Sequence, residues 1–275
     1  MIIGCRHIFE IFLVYTALSS VAVGLPPTRP REHGIGIEDS ITISTLDGRK
    51  NRKEILYLTL DACGGKNGSE PDIKLIKYLK RNKIKATLFV SCKFLQNGKN
   101  RKLIKKLARS KNFSIQNHGK NHLPALLSGK TIYGLRGTTS KNTLVEEIEQ
   151  CGKMIAELTG GRPDWYRSGT AHYDEGALKV INSLGYRVAG FKITLDEGAT
   201  LTSDAVRERA LSAKDGDILL AHMNAPRSGT RDGLIEATKT LRKKRKIKFE
   251  LLPSQLSPAK PNYRIICGCC TRTRT

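Results

Sequence analysis

Ile55-Leu56-Tyr57-Leu58-Thr59-Leu60-Asp61 is the stretch on which the fold turns. Its residues are apolar or β-favouring without a break, and the run stops at a carboxylate, the pattern of a strand covered on both faces. Such strands belong to parallel sheets, in which helical crossovers join each strand to the next. The residues behind it agree. A Gly-rich loop follows Asp61, and Ser69-Glu70-Pro71-Asp72 then opens a helix whose Ile73, Ile76, Tyr78 and Leu79 recur at helical spacing.

The same alternation continues down the chain. Ala86–Val90 reads as a second strand, and Asn100 as the cap of a helix with Leu103, Ile104, Leu107 and Ala108 on one face. Residues 113–116 form a third strand, leading to His118. After a Gly-rich excursion over residues 127–141, Thr143 and Glu146 have the spacing of a capping box. The stripe Leu144, Ile148, Cys151, Ile155 and Leu158 behind them is the clearest helix in the sequence. Residues 164–166 are a fourth strand, ending at Arg167. Asp174 caps a helix that Gly185 stops, and Tyr186 to Ile193 is a fifth strand running towards Asp196. Thr202 or Ser203 caps the next helix, residues 217–221 are a sixth strand ending at His222, and a helix near 231–245 precedes a seventh strand at 247–252.

Strands alternating with helices define an α/β protein with a parallel sheet, either a barrel or a doubly wound sheet. In both, reactive groups gather where the strands end. Asp61, His118, Arg167, Asp196 and His222 each stand at or just past such an end. His118 and His122 are four apart, a spacing that on a helix or tight turn puts both imidazoles on one face, within reach of one divalent metal.

Composition narrows the partners. The 275 residues are 39% hydrophobic and 27% charged, as in a soluble globular protein, and Lys+Arg 48 against Asp+Glu 25 gives a formal charge of +23. Such a field attracts anionic surfaces. The basic residues are spread along amphipathic segments such as Arg101-Lys102-Leu103-Ile104-Lys105-Lys106-Leu107, which read first as solvated helix faces. No aromatic interleaves with them, so a stacking platform for single-stranded nucleic acid is disfavoured, and no specific nucleic-acid partner is expected. Residues 1–24 read as a secretory signal peptide. Arg6 supplies positive charge, Ile11 to Ala17 is largely apolar, and Ala22-Val23-Gly24 fits a small-x-small cleavage site. The apolar run from Ile8 to Val23 is short for a span, so no stable membrane span is expected after cleavage, with an uncleaved anchor as the second reading. The expected location is extracytoplasmic, periplasmic or secreted. Residues 25–52, with Pro26, Pro27 and Pro30, are an irregular lead-in, 53–253 the folded domain, and 254–275 a disordered tail carrying Cys267, Cys269 and Cys270. In an oxidising compartment Cys63 and Cys92, each close behind a strand, are candidates for a disulfide. Cys151 reads as an inert core thiol. Nothing in the sequence specifies an oligomer.

The rim residues resemble, in order, the motifs of the NodB-type polysaccharide deacetylases, carbohydrate esterase family 4. Leu58-Thr59-Leu60-Asp61 resembles the family's T-F-D-D, and His118 to His122 its H-(S/T)-x-x-H. Tyr166-Arg167 stands where R-x-P-x-G begins, Asp196 at the fourth motif's aspartate, and Leu220-Ala221-His222 matches L-x-H. The likeness covers about residues 53 to 253. It implies a distorted (β/α)7 barrel of the NodB homology type and metal-dependent hydrolysis of N- or O-acetyl groups on a polysaccharide, peptidoglycan or another acetylated glycan. It also implies the roles. His118 and His122 would hold a divalent ion, Zn2+ or Co2+. Asp61 would be the base, kept ionised and oriented by Arg167, and His222, steadied by Asp196, the acid.

The departures carry information. Ala62 stands where the family has a second, metal-binding Asp, so the usual ligand set is one short and Ala62→Asp would restore it. Cys63 is expected to point elsewhere and His172 reads first as a surface histidine, with tight metal retention the sign that one of the two has taken the empty ligand place. Ser168-Gly169 replaces the x-Pro of the third motif, and Glu197 stands where an aromatic is common. A relative that binds carbohydrate without turning it over is therefore the alternative to an enzyme.

Overall fold

Strand β2 (Ile55–Ala62) is built as its sequence dictates, buried along nearly its whole length. Its alternate residues serve different layers. Leu56, Leu58, Leu60 and Ala62 enter the largest apolar cluster together with Leu75, Leu79, Phe94, Ile104 and Leu241 from the helical layer. Tyr57 faces the other way, into a smaller cluster with Phe89, Trp165, Ala189, Ile218 and Leu252. Beyond Tyr57 on that inward face the residues turn polar, with Thr59 and Asp61 both buried. One strand thus carries an apolar floor and a reactive rim on the same face.

The computed structural model of the protein describes residues 53–254 and the two-residue strand β1 (Ile37–Glu38). Residues 1–24, most of residues 25–52 and the cysteines at 267, 269 and 270 lie outside the described residues, and so do the expectations placed on them. After β2 come α1 (Ile73–Arg81), β3 (Ala86–Val90), the short α2 (Cys92–Leu95), α3 (Gly98–Ala108) and β4 (Phe113–Asn117). An antiparallel hairpin of β5 (Thr131–Ile132) and β6 (Leu135–Arg136) occupies the Gly-rich excursion, where the sequence pattern marks no strand. Then follow α4 (Lys141–Thr159), β7 (Trp165–Tyr166), α5 (Glu175–Ser183), β8 (Arg187–Ala189), β9 (Ile193–Thr194), α6 (Ser203–Leu211), β10 (Ile218–His222), α7 (Thr230–Lys244) and β11 (Lys248–Phe249).

The main sheet is parallel in every pairing and runs β1-β8-β7-β4-β3-β2-β10-β9, with β11 on the start of β2. Each of the seven expected strands is present. The fifth is broken: β8 pairs with β7, while β9, four residues on, pairs with β10. The path of strands therefore leaves from and returns to one chain segment, which is how a distorted (β/α)7 barrel closes. Register then levels the reactive ends, for Asp61 on β2 stands opposite Phe89 on β3 and His222 on β10.

Several caps differ from expectation. Asn97, not Asn100, caps α3, and Asn100 is buried with its amide donating to Ser69 O and Phe94 O. Ser140 caps α4, its Oγ accepting from Thr143 N at 3.1 Å, so the Thr143–Glu146 capping box does not form. Glu146 pairs with Lys120 instead. Asp174 and Thr202 cap α5 and α6 as expected. Cys63 and Cys92 are both free thiols, and the Cys92 sulfur donates to Met154 Sδ at 3.6 Å, away from Cys63. Cys151 is fully buried, and burial pushes its thiol well above the ordinary range. Among the described residues no helix is long and apolar enough to cross a membrane.

Candidate functional site

Arg167 organises the rim. It leaves the end of β7, is wholly buried, and spreads its guanidinium across the barrel interior with Cζ 4.3 Å from the Phe89 ring centre. Its Nε donates to Ala189 O at 3.2 Å and Nη2 to Gly190 O at 2.8 Å, tying it to the break in the fifth strand. Nη1 donates to Thr59 Oγ1 at 2.9 Å and to Asp61 Oδ1 at 2.7 Å. Burial alone would raise the Asp61 carboxyl. The charges of Arg167, His118 and His222 outweigh it and hold the group below the usual carboxylate range.

The histidine pair converges through a loop, not a helix. His118 follows β4, Gly119 has φ +82°, and His122 itself adopts φ 61°. The two rings meet edge to face, 4.8 Å between centres. His118 Nδ1 lies 2.8 Å from Arg167 O, and since a carbonyl can only accept, this nitrogen carries the proton. Its Nε2 points to the rim, 3.6 Å from Asp61 Oδ2 and 3.8 Å from Cys63 Sγ. Fixing one imidazole nitrogen by a backbone carbonyl so that the other can ligate is the usual support for a metal-binding histidine.

The loop is held from behind by Glu147 of α4. This buried carboxylate accepts from Asn121 N at 2.8 and 2.9 Å and from Leu123 N at 3.1 Å, while burial pushes its own pKa up. A Cβ on Gly119 would lie 2.6 Å from Glu147 Oε1, and one on Gly169 only 2.1 Å from His122 O. Small residues at these two points let the loop close. Gly169, in the stretch that departs from the family's third motif, is thus a packing requirement.

On the opposite side His222 Nδ1 lies 2.8 Å from Asp196 Oδ1. Asp196 is fully buried and also accepts, on Oδ2, from His222 N at 2.8 Å and Thr230 Oγ1 at 2.7 Å. Burial would lower the imidazole pKa, yet the adjacent Asp196 carboxylate carries it well above the ordinary value. Burial likewise acts to raise Asp196, and His222 and Thr230 more than reverse it.

Asp61, His122 and His222 line a cavity of about 750 Å³, together with Cys63, Tyr133 and His172. Three expectations are corrected here. Ala62, at 0% exposure, packs in the apolar cluster of Leu58 and Leu60, so it faces the helical layer and not the histidines. Cys63, one residue on, is back on the face of Asp61 and turns its sulfur to the histidines. His172 is no surface residue: it is 5% exposed, with Nδ1 2.7 Å from Thr170 O and its ring edge-on to Tyr133 at 5.6 Å. Tyr133, at the tip of the β5–β6 hairpin, is 74% exposed at the mouth of the cavity.

The donors suit a divalent cation. The ligating atoms of Cys63, His118 and His122 all lie within 4.8 Å of one another. Ligands of a tetrahedral zinc stand roughly 3.3–3.7 Å apart given bonds of about 2.0–2.3 Å, so small side-chain movements close the set. His122 Nε2 is buried without a hydrogen-bond partner, as a nitrogen reserved for an ion would be.

Sequence reasoning passed over Glu147, Thr230 and Tyr133, and turned Cys63 away from the histidines. For Glu147 a signal existed, since a carboxylate three residues after Leu144 and one before Ile148 lies on the apolar face of its helix. For Cys63 the signal was the strand period of two counted from Asp61. Thr230 and Tyr133 carry none, because only the packing of distant segments brings them to the rim.

A sequence model of the family described as polysaccharide deacetylase matches residues 48–189. No curated protein matches the chain. Among solved structures, a family 4 carbohydrate esterase of Bacillus subtilis, PdaA, superposes with a TM-score of 0.59 at 21% identity, over 78% of this chain and 82% of that one. The peptidoglycan N-acetylglucosamine deacetylase Bc1960 gives a TM-score of 0.63 at 19% identity, over 80% and 92%. A family 4 pseudoenzyme from Bacillus anthracis gives 0.57 at 20% identity over 72% of this chain, which spans 64% of that protein's length, less than two thirds. At these identities the likeness is one of fold.

Proposed function

The chain belongs to the polysaccharide deacetylase family, and from that premise we propose that it hydrolyses acetyl groups from a glycan outside the cytoplasm. The observation that carries the reading is the pairing Asp61–Arg167 and His222–Asp196, two buried carboxylate–cation pairs on neighbouring strands with Asp61 and His222 facing one cavity. Asp61 is the base that takes a proton from the attacking water. Arg167 keeps it ionised and, through a planar fork, fixes which oxygen faces outward. His222 is the acid: with its Nδ1 proton donated to Asp196, its Nε2 delivers a proton to the leaving nitrogen or oxygen of the sugar. The Asp196 carboxylate raises the His222 pKa and so favours the protonated form. His118 and His122 hold a divalent cation of the Zn2+ type, whose contribution when bound is Lewis acidity towards the acetyl carbonyl and towards water. Tyr133 offers an aromatic face to the sugar at the cavity mouth.

The +23 charge suits an anionic acetylated glycan such as peptidoglycan, and the leader at residues 1–24 suits export. The competing reading, a glycan binder without turnover, is favoured only by Ala62 at the position of the family's second aspartate. Acetate release from a panel of acetylated glycans, with and without added Zn2+ or Co2+, separates the two. Asp61→Asn should lower release by ~10²–10⁴-fold with the fold intact. Absence of release from every glycan, with metal supplied, would leave the binder.

A further inference from the structure

With two histidines alone, the cation would be held by fewer protein donors than catalytic zinc normally has. We propose that Cys63 is the third protein ligand, so that this chain carries a centre of one cysteine and two histidines in which a thiolate stands in for the missing carboxylate. The inference rests on the reading of His118 and His122 as metal ligands and specifies the metal chemistry of that site.

The backbone aims the sulfur. Tyr57, Thr59 and Asp61 are successive inward positions of β2, and Cys63, the first residue past the strand's end, places its Sγ 3.8 Å from His118 Nε2. Its peptide is pinned on both sides. The Ser91 hydroxyl donates to Cys63 O, Ser91 N donates to Ala62 O at 3.1 Å, and Gly64 N donates to Gly68 O at 2.8 Å. Gly64 has φ +79°, and a Cβ there would lie 2.3 Å from Phe94 N, so the chain turns sharply behind the cysteine. Cys63 is a free thiol, and Cys92 and Cys151, the other cysteines among the described residues, are free and buried. His122 Nε2, buried and without a hydrogen-bond partner, completes the triangle. Asp61 is the competing donor: its Oδ1 is bound by Arg167, its Oδ2 lies 3.6 Å from His118 Nε2, and the set of ligating atoms within 4.8 Å of one another is that of Cys63, His118 and His122.

A thiolate carries the same single negative charge as the carboxylate it replaces, so the charge of the centre is kept. The ligand is softer. Such a set favours Zn2+ and Co2+ and disfavours Mg2+, Ca2+ and Mn2+, which prefer oxygen. Binding releases the thiol proton to solvent as the sulfur–metal bond forms.

The test uses the full chain, stripped with a chelator and reloaded with Co2+. One cobalt per chain should bind and give a sulfur-to-cobalt charge-transfer band in the near ultraviolet. The band should persist when Cys267, Cys269 and Cys270 are all changed to Ser, and vanish in Cys63→Ser and Cys63→Ala. Both Cys63 variants should also lose cobalt to a mild chelator at least about tenfold more readily, since even loss of an outer-shell partner costs about 10–100-fold in affinity. Cys63→Asp should retain cobalt without the band. A wild type that binds no cobalt, or a band unchanged in Cys63→Ala, overturns the assignment. One cobalt bound with no sulfur band, and lost in His118→Ala, overturns it while leaving the deacetylase reading intact. A band dependent on Cys63 in a protein that releases no acetate does the reverse.

Discussion

Removing the Arg167 guanidinium should both destabilise the barrel and shift its chemistry, and the size of each effect follows from the geometry. Arg167→Met fills much of the same volume but deletes four hydrogen bonds, to Ala189 O, Gly190 O, Thr59 Oγ1 and Asp61 Oδ1. Asp61, 3% exposed, is left as a buried carboxylate without its main partner. Truncating one side of a buried ion pair costs about 3–5 kcal/mol. At ~2–4 °C per kcal/mol for a domain of this size, the melting temperature should fall by roughly 10 °C. Asp61→Asn in the same chain removes the stranded charge, so the double variant should lose less than the sum of the two single changes.

The pH dependence has a definite sign. In the wild type the Asp61 carboxyl lies below its ordinary value, so its contribution to stability is present above the unfolded pKa of about 3.9 and is lost as pH falls through the folded value. Without Arg167, burial meets less opposition and the folded pKa rises. The acid limb of the rate profile should therefore move to higher pH. Thermal melts at neutral and acid pH, with acetate release followed against pH, measure both. A melting temperature within about 2 °C of wild type, or an acid limb that does not move, would refute the reasoning.

Three further outcomes are expected. Asp196→Asn removes the charge that carries His222 above its ordinary pKa, so the ring should lose its proton at lower pH, as read from its NMR titration; an unchanged titration would show that Asp196 is not what raises it. In the wild type the stability from this pair is complete below the unfolded value of about 6.5 and fades as pH rises through the folded one, a dependence the variant should lack. Ala62→Asp should destabilise the fold and leave metal retention no tighter, because it buries a carboxylate in the apolar cluster of Leu58 and Leu60; tighter retention with an unchanged melting temperature would place residue 62 at the metal. Ser140→Ala should cost ~1 kcal/mol in chemical denaturation and Thr143→Ala less, since Ser140 supplies the cap of α4; the reverse order would restore the capping box.

Local chemistry determined the layers of this protein. Short apolar runs rich in β-favouring residues, alternating with stripes at helical spacing, fit the central strands of a parallel sheet and its crossovers. The rim followed, because polar groups at the ends of such strands have nowhere else to go; that is why Asp61, His118, Arg167, Asp196 and His222 could be picked out one by one. Caps are less legible. Ser, Thr and Asn within three residues of one another can each terminate the same helix, and the backbone geometry at Asn97 and Ser140 made the choice. Tertiary structure alone decided which side chains meet. The break in the fifth strand, which supplies the carbonyls of Ala189 and Gly190 to Arg167, depends on strands from both ends of the chain competing for one segment. Glu147 reaches the histidine loop only because α4 packs on β4, and Thr230 reaches Asp196 only because α7 begins beside it. The period of two along β2 puts Ala62 in the core, and Cys63, just past the strand's end, reaches the site; neither follows from the unbroken apolar run, and the consequence for a metal needed the distance from Cys63 to His118. Strand period is a property of one segment, whereas a ligand set is a property of separate segments brought together.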